Sequence, residues 1–319
     1  MMAMRIFAFA VACAILSAAA GAQSYPAKPV KIVVGYPPGG SGDFTTRIAA
    51  DELSKALGVS VVAENKPGAG GTIAAAFVAK TPADGYTLLN AGNFAIDRAL
   101  YKLPYDDRDF IPVIKIATGP TVICVNNSVP VKSLKELIEY AKANPGQLFN
   151  AQAGYGSAPN MAATLFEAVA GVKFTPVQFK GGGPAAQSVL AGDTHIAFST
   201  APTVMGFIRA GRLRPLAVSL RNGSPSVPGI PGTIEAGLPD YEFTFWFGLY
   251  APTGTPAPIV KRVHEALARG LAKPEVKGKI ALQGMDVTAS ASPEAFAADI
   301  REEAPGLEKL VRDSGAKVE

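Results

Sequence analysis

The sequence predicts an α/β protein built as two lobes, on three observations. Runs of β-branched residues alternate with segments of helical apolar spacing, which implies parallel strands joined by helices. A glycine-rich loop stands between strand and helix in the first half and again in the second. The alternation starts afresh after Val122-Ile123-Cys124-Val125. With 319 residues, 48% of them hydrophobic, the chain has room for a sizeable core and one or two domains. It is neither a short peptide module nor a disordered tail.

Arg5, the apolar run Ile6 to Leu16 and the small residues Ala20-Gly21-Ala22 read as a secretory signal peptide over residues 1–22, cleaved after Ala22. A membrane anchor would need a longer apolar span and stop-transfer charges. Cys13 lies inside the apolar stretch and not at the cleavage site, so it is not read as a lipid anchor, and Cys124 is the cysteine left after cleavage. A single thiol forms no internal disulfide, so in an oxidising compartment such as a bacterial periplasm the core must hold the fold. Val30 to Val34 is the first strand, and Ile48, Ala49, Leu53, Ala56 and Leu57 mark a helix over Phe44 to Leu57. Between them lies YPPGGSGD, residues 36–43. Val59 to Ala63 is the next strand, Pro67 to Gly71 a second glycine loop, Thr72 to Lys80 a helix and Tyr86 to Asn90 the third strand.

In the second series Ser133-Leu134-Lys135-Glu136 has the form of a capping box. It opens a helix carrying Leu134, Leu137, Ile138 and Ala141, which ends at Asn144-Pro145-Gly146. Gly154-Tyr155-Gly156-Ser157 precedes a helix from Pro159 to Ala170, and Gly181-Gly182-Gly183 precedes one from Pro184 to Ala191, closed by Gly171 and Gly192. Asn222 to Gly237 reads as a connecting loop. Phe243 to Ala251 is a strand-like run whose alternation sends Phe243, Phe245 and Phe247 to one face and Trp246 to the other; most are core, with one or two left to wall a cleft. Helices over Pro258 to Leu271 and Pro293 to Val311 follow, the last broken or kinked at Pro305-Gly306.

Two α/β units imply a cleft between lobes, and the glycine loops suit it. The first turn of a helix leaves backbone N–H groups unpaired and carries partial positive charge, so a loop without side chains makes an anion site. Gly39, Gly40, Ser41 and Gly42 would offer amides and a hydroxyl to a carboxylate or phosphate, while Asp43 caps a helix beginning at Phe44. An ordinary tight turn is the alternative for any one such loop. Asp43 argues against a phosphate-like ligand, because its carboxylate repels further negative charge at the same helix start.

Other chemistries find less support. No Gly-Lys-Ser/Thr closes a loop, and Gly68 to Ile73 lacks the third small residue of a dinucleotide fingerprint, so no nucleotide cofactor is expected. His195 and His264 are far apart, without HxxxH, CxxC or EF-hand spacing, so no metal is expected. A formal charge of +4 with no Lys/Arg block disfavours nucleic acid. The enzymatic alternative is a secreted serine hydrolase using Ser41 or Ser157 with His195, in a short strand over Thr194 to Phe198, or with His264, on the surface or flank of its helix. Asp43 stands where a nucleophile elbow needs Gly.

The stretches YPAKPVKIVVGYPPGGSGD, ENKPGAGGTIAA, DGYTLLNAGN, ALYKLPYD, NMAATLFEAVAG, FKGGGPAAQSVLAGD, RLRPLAVS, IPGTIEAGLPDYE and WFGLYAPTGTPAPIV run in order over nearly the whole mature chain. Together they resemble the tripartite tricarboxylate transporter family of periplasmic solute-binding receptors, also called Bug receptors. The resemblance implies a two-lobe periplasmic-binding-protein fold, a type II-like clamshell with the ligand cleft between lobes. Lobe one would be residues 23–123 and 246–319, and lobe two residues 124–245. It implies a monomeric receptor, without cofactor, that captures a small di- or tricarboxylate or aromatic carboxylate and presents it to membrane permease subunits. Carried over residue by residue, one grip is Tyr36, Pro38, Gly39, Gly40, Ser41 and Asp43, and the facing grip is Gly154, Tyr155, Gly156, Ser157 and Asn160, joined by Lys180 and Gly181. Asn90 and Phe94 form the wall of lobe one. Three departures stand out: Ser199-Thr200 where the family often has Asp after the strand, Asn160 where it commonly has His, and Pro305-Gly306 in a helix that is usually uninterrupted. The first two alter the polarity of the cleft, and the loss of an acidic group disfavours a ligand with a free amine.

Overall fold

The computed structural model describes residues 25–313, so the signal peptide and cleavage site expected over residues 1–22 lie outside the described residues. β1 (Val30–Val34) is flanked in parallel by β2 (Val61–Asn65) and β3 (Thr87–Ala91). Ile32, Val33 and Val34 are fully buried, as a strand covered on both faces requires. α1 (Ser41–Leu57) and α2 (Thr72–Val78) follow the first two strands, and the short α3 (Phe94–Leu100) follows β3.

β4 (Phe110–Asn126) is much longer than the four-residue run visible at Val122 to Val125. Register shifts beside β9 (Thr244–Pro252), at Pro112/Ile114 and at Lys115/Ala117, break the regular alternation that would have marked its first part. That first part pairs antiparallel with β9 and β10 (Asp286–Val287), and the last part pairs antiparallel with β7 (Ile196–Thr200) and β8 (Leu213–Val218). One strand therefore serves both lobes. In the second lobe β5 (Phe149–Gln152) lies parallel to β6 (Thr175–Gln178) and β7, with α4 (Leu134–Ala143), α5 (Ala158–Ala170), α6 (Gly182–Ala191) and α7 (Ala201–Arg209) between strands. The strand order is β2-β1-β3-β9-β4-β7-β5-β6. α8 (Ala257–Leu271), α9 (Pro274–Ala281) and α10 (Pro293–Asp313) complete the chain. Among the described residues no helix is long and apolar enough to cross a membrane.

The stretch of β4 near Thr121 and the segment joining β8 to β9 run side by side. Ser219, fully buried, stitches the two together. Its Oγ accepts from Thr121 N at 2.9 Å and donates to the Phe243 carbonyl at 2.6 Å, and its backbone N–H donates to the Thr121 carbonyl at 2.9 Å.

Local chemistry accounts for most helix boundaries. Ser133 caps α4 by accepting from Glu136 N at 3.1 Å, whereas the Glu136 carboxylate turns to Lys132 N, so half of the expected box forms. α1 begins at Ser41 with Gly40 as its N-cap, which corrects the expectation that Asp43 caps a helix starting at Phe44. α10 runs unbroken through Pro305, contrary to expectation. Tertiary contacts hold it: Asn93 Nδ2 donates to the Ile300 carbonyl, Trp246 Nε1 donates to Glu303, and Arg98 pairs with Glu308. His264 is also buried, where a surface or flank position was expected, with Nε2 3.0 Å from the Ser290 carbonyl. The alternation along β9 is as read: Phe243, Phe245 and Phe247 join one buried cluster, while Trp246 packs in another with Phe296.

Candidate functional site

A cavity of about 390 Å³ lies where the two lobes meet, within the size range of small-molecule sites. Among the described helices, six deliver their N-terminal ends to its lining: α1 with Gly40, Ser41 and Gly42, α2 with Gly71, α3 with Asn93 and Phe94, α5 with Gly156, Ser157 and Ala158, α6 with Gly182, and α7 with Thr200 and Thr203. At α1, α6 and α7 the N-cap residue, Gly40, Gly181 or Thr200, makes no side-chain cap hydrogen bond. Their first-turn amides lack the usual side-chain acceptor, which leaves the cavity rich in N–H donors and partial positive charge. Between and beside these helix starts the lining is aromatic, with Phe94, Phe243, Phe245, Trp246 and Phe247. Tyr36 meets Phe247 edge-to-face at 5.8 Å. Burial pushes the Tyr36 phenol far above its ordinary value, so it is neutral at any working pH.

Of the residues singled out from the sequence, Tyr36, Gly40, Ser41, Asn90, Phe94, Gly156, Ser157 and Thr200 line this cavity. The others stand around it. Pro38, Gly39 and Lys180 are exposed. Ser199 is buried within β7, opposite Val122. Asp43 is buried behind the first loop, where it accepts from Gly39 N at 3.1 Å, Asn65 Nδ2 at 2.9 Å and Arg47 Nε at 2.9 Å. Burial raises its pKa, but the hydrogen bonds from Arg47, Asn65 and Gly39 outweigh that and hold the carboxyl below its ordinary value. Asp43 therefore stays ionised, and Arg47 balances its charge. Asn160 accepts from Gly156 N at 3.0 Å and donates to Gln152 Oε1 at 2.8 Å, so it fixes the second glycine loop from behind.

The glycines divide by what a Cβ would meet. At Gly40 the nearest neighbouring atom would be 3.9 Å away, leaving the main chain open to the cavity. At Gly181 a Cβ would stand 2.4 Å from Pro37 Cγ, at Gly156 2.9 Å from Leu100, and at Gly70 2.7 Å from the Tyr155 carbonyl. These three are bare because a loop of one lobe abuts the other. Tyr101 adds a hydrogen bond to the Tyr155 carbonyl at 3.0 Å across the same seam. Tyr155, which does not line the cavity, belongs to this seam, whereas Gly154 stands beside the Phe179 carbonyl of its own lobe.

Sequence reasoning missed Asn93, Asp97, Thr203, Glu303 and Leu307, all of which line the cavity. α3 has seven residues, too few to show a period, and the last helix reaches the site only by tertiary packing. The position of α3 directly after the carboxyl end of β3 was the available signal, since ligands of α/β sheets bind at strand carboxyl ends. The two histidines are elsewhere. His195 Nδ1 accepts from Phe149 N at 3.0 Å and its ring stacks on Phe149, His264 sits against Ser290, and neither lines the cavity that contains Ser41 and Ser157. Neither histidine is therefore placed to act as a base for Ser41 or Ser157.

The chain is similar to known proteins over nearly its whole length. The profile of the family described as "Tripartite tricarboxylate transporter family receptor" matches residues 45–313. Protein BugT of Bordetella pertussis is 33% identical over 313 residues, covering 97% of this chain and 96% of BugT. Among solved structures, R. palustris Rpa4515 with adipate superposes with a TM-score of 0.89 at 34% identity, covering 92% of this chain and all of that one. The periplasmic binding protein BugD superposes with a TM-score of 0.87 at 32% identity, covering 92% of this chain and all of BugD. Two lobes around a cavity of helix N-termini are the features of a binding protein, and the chain belongs to the tripartite tricarboxylate transporter family of solute-binding receptors, a family of receptors and not of enzymes.

Proposed function

We propose that this chain is exported to the periplasm, with cleavage after Ala22, and captures a small organic acid in the cavity between its lobes. It then presents the acid, as a monomer, to the membrane permease subunits of a tripartite transporter. The observation that carries the reading is the convergence of α1, α5, α6 and α7 on one cavity, three of them without a side-chain cap. The adipate in Rpa4515 supports the same ligand class. In this reading Gly40 and Ser41 face Gly156, Ser157 and Thr200 across the carboxylate, while Tyr36, Asn90 and Phe94 contact the ligand body. Pro38, Gly39, Asp43, Gly154, Tyr155, Asn160, Lys180, Gly181 and Ser199 shape the loops or the path of entry. The lobes divide as residues 23–123 with 246–319 and residues 124–245, on either side of the Ser219 stitch.

The test is a thermal-melt screen of residues 23–319 against mono-, di- and tricarboxylates, aromatic acids and amino acids. A ligand at a hundred times its Kd stabilises by about 2.7 kcal/mol, which raises Tm by several degrees. Gly40→Val should abolish that shift. The native backbone at Gly40, φ −90° and ψ 172°, is open to any residue, so the variant should keep its far-UV CD and its cooperative melt. Equal affinity in wild type and variant would remove the first loop from the site.

A further inference from the structure

The side chains of the cavity carry charge of one sign. Asp97, Glu242 and Glu303 line it, and among the described lining residues there is no Lys, Arg or His. Two of these acids are accounted for. Glu303 accepts from Trp246 Nε1 at 2.6 Å and lies 3.4 Å from Lys115 Nζ, and Glu242 is exposed to solvent. Asp97, part-buried on α3, has no ion-pair partner among the described residues. Its hydrogen bond comes from the neutral Tyr105 hydroxyl at 3.2 Å, and the adjacent Arg98 is taken by Asp107 and Glu308. One Asp97 oxygen lies 3.8 Å from where a Cβ on Gly156 would stand, so the carboxyl sits beside the start of α5.

The same cavity holds a second unmatched acceptor. Asn90, 1% exposed, gives Nδ2 to the Thr45 and Thr46 hydroxyls at 3.0 and 2.7 Å. Both hydroxyls already donate to the Ser41 and Gly42 carbonyls, so they can only accept from the amide. The amide orientation is thereby fixed, and Oδ1 is left buried without a donor. A fully ionised polycarboxylate supplies no donor to either acceptor and adds charge of the same sign as Asp97.

We infer that the ligand is an aminocarboxylate: one carboxylate held at the uncapped helix starts and a protonated nitrogen paired with Asp97, which acts as a specificity-determining residue. This rests on the receptor reading above and reverses the expectation drawn from Ser199, because the acidic group is supplied by α3. Phe94 and Trp246 line the same cavity and suit an apolar body beside that nitrogen.

Burial pushes the Asp97 carboxyl up to about 7, with the Tyr105 hydrogen bond opposing and Asp107 adding to the rise. The groups facing it are Tyr36 after β1, Tyr101, Tyr105 and Asp107 beyond α3, and Tyr250 on β9. The tyrosines are all raised and stay neutral, and Asp107 is engaged by Arg98. An ammonium needs Asp97 ionised, so its affinity rises with pH, about 30-fold between pH 5.5 and 8 for a group titrating near 7. A second carboxylate needs Asp97 protonated, and its affinity falls over the same range.

The experiment measures Kd by calorimetry at pH 5.5 and 8 for glutarate, adipate, glutamate, leucine and phenylalanine, on wild type, Asp97→Asn and Asp97→Glu. The expected result is that an amino acid binds at least tenfold tighter than either dicarboxylate at pH 8 and weakens at pH 5.5. Asp97→Asn should lose more than tenfold for that amino acid and its pH slope, while Asp97→Glu keeps the slope. A ligand-free melt of each variant verifies folding. Tighter binding of a dicarboxylate with affinity falling as pH rises, or an Asn variant that holds the amino acid as well as wild type, overturns the inference and leaves the receptor reading intact. If folded wild type binds none of the five, the inference falls, and the receptor reading stands or falls on the wider carboxylate screen above.

Discussion

Two carboxyls near the cavity are perturbed in opposite directions, and the cause is the number of hydrogen-bond donors each has. Asp43 is reached by Arg47, Asn65 and Gly39, whereas Asp97 has the Tyr105 hydroxyl. Their contributions to stability therefore depend on pH with opposite sign. Asp43, held below its unfolded value, stabilises the fold above about pH 4, and that contribution is lost as pH falls through its folded pKa. Asp97, raised to about 7, binds its proton more tightly folded than unfolded, so its contribution is present below about pH 4 and is lost as pH climbs through 7. Asp97→Asn keeps an acceptor for Tyr105 and removes the charge. It should raise Tm by a few degrees at pH 8 and leave it unchanged at pH 4, as calorimetric scans at the two pH values would show. Asp43→Asn should lower Tm at pH 7, by about 1–2 kcal/mol of stability, and make the acid side of the stability curve shallower.

The glycine loops at the helix starts solve two packing problems at once. Where the loop faces the cavity, as at Gly40, absence of a side chain exposes main-chain donors. Where it faces the other lobe, as at Gly181, it lets two chains approach within a methyl group of each other. Gly181→Ala would place its Cβ against Pro37 and hold the seam apart. Ligand affinity should fall by tenfold or more, measured by the same calorimetry as above. Pro37→Ala removes the ring atoms that clash, so the double variant should recover part of the affinity. The φ of +136° at Gly181 also disfavours alanine, and that strain should lower Tm equally in the single and double variants. Equal affinity loss with and without Pro37 would assign the effect to backbone strain alone.

At the scale of the whole molecule, one long strand and one buried hydroxyl carry the connection between lobes. β4 is paired with β9 on one side of Thr121 and with β7 and β8 on the other, and Ser219 ties Thr121 to Phe243. A hinge requires residues that absorb rotation without losing their hydrogen bonds. Ser219→Ala strands the Thr121 amide in a buried site. It should lower stability by about 1–3 kcal/mol, read from the denaturant midpoint. An unchanged midpoint would mean that Ser219 is dispensable to the joint.

Much of this was legible along the chain because it depends on local spacing. Val30 to Val34, the helix ending at Gly58, the Ser133 cap and the β9 alternation follow from side-chain period and turn chemistry, which neighbours three or four residues away decide. The ordered family motifs similarly fixed the two-lobe class and the receptor function. Other features lay in contacts between residues distant in sequence. The continuity of α10 through Pro305 depends on Asn93, Trp246 and Arg98, and the burial of His264 depends on Ser290. The setting of Asp97 is of the same kind: its carboxyl matters because, among the described residues, no cation pairs with it. Charge balance in a cavity is a sum over surrounding elements, and only the folded chain brings them together.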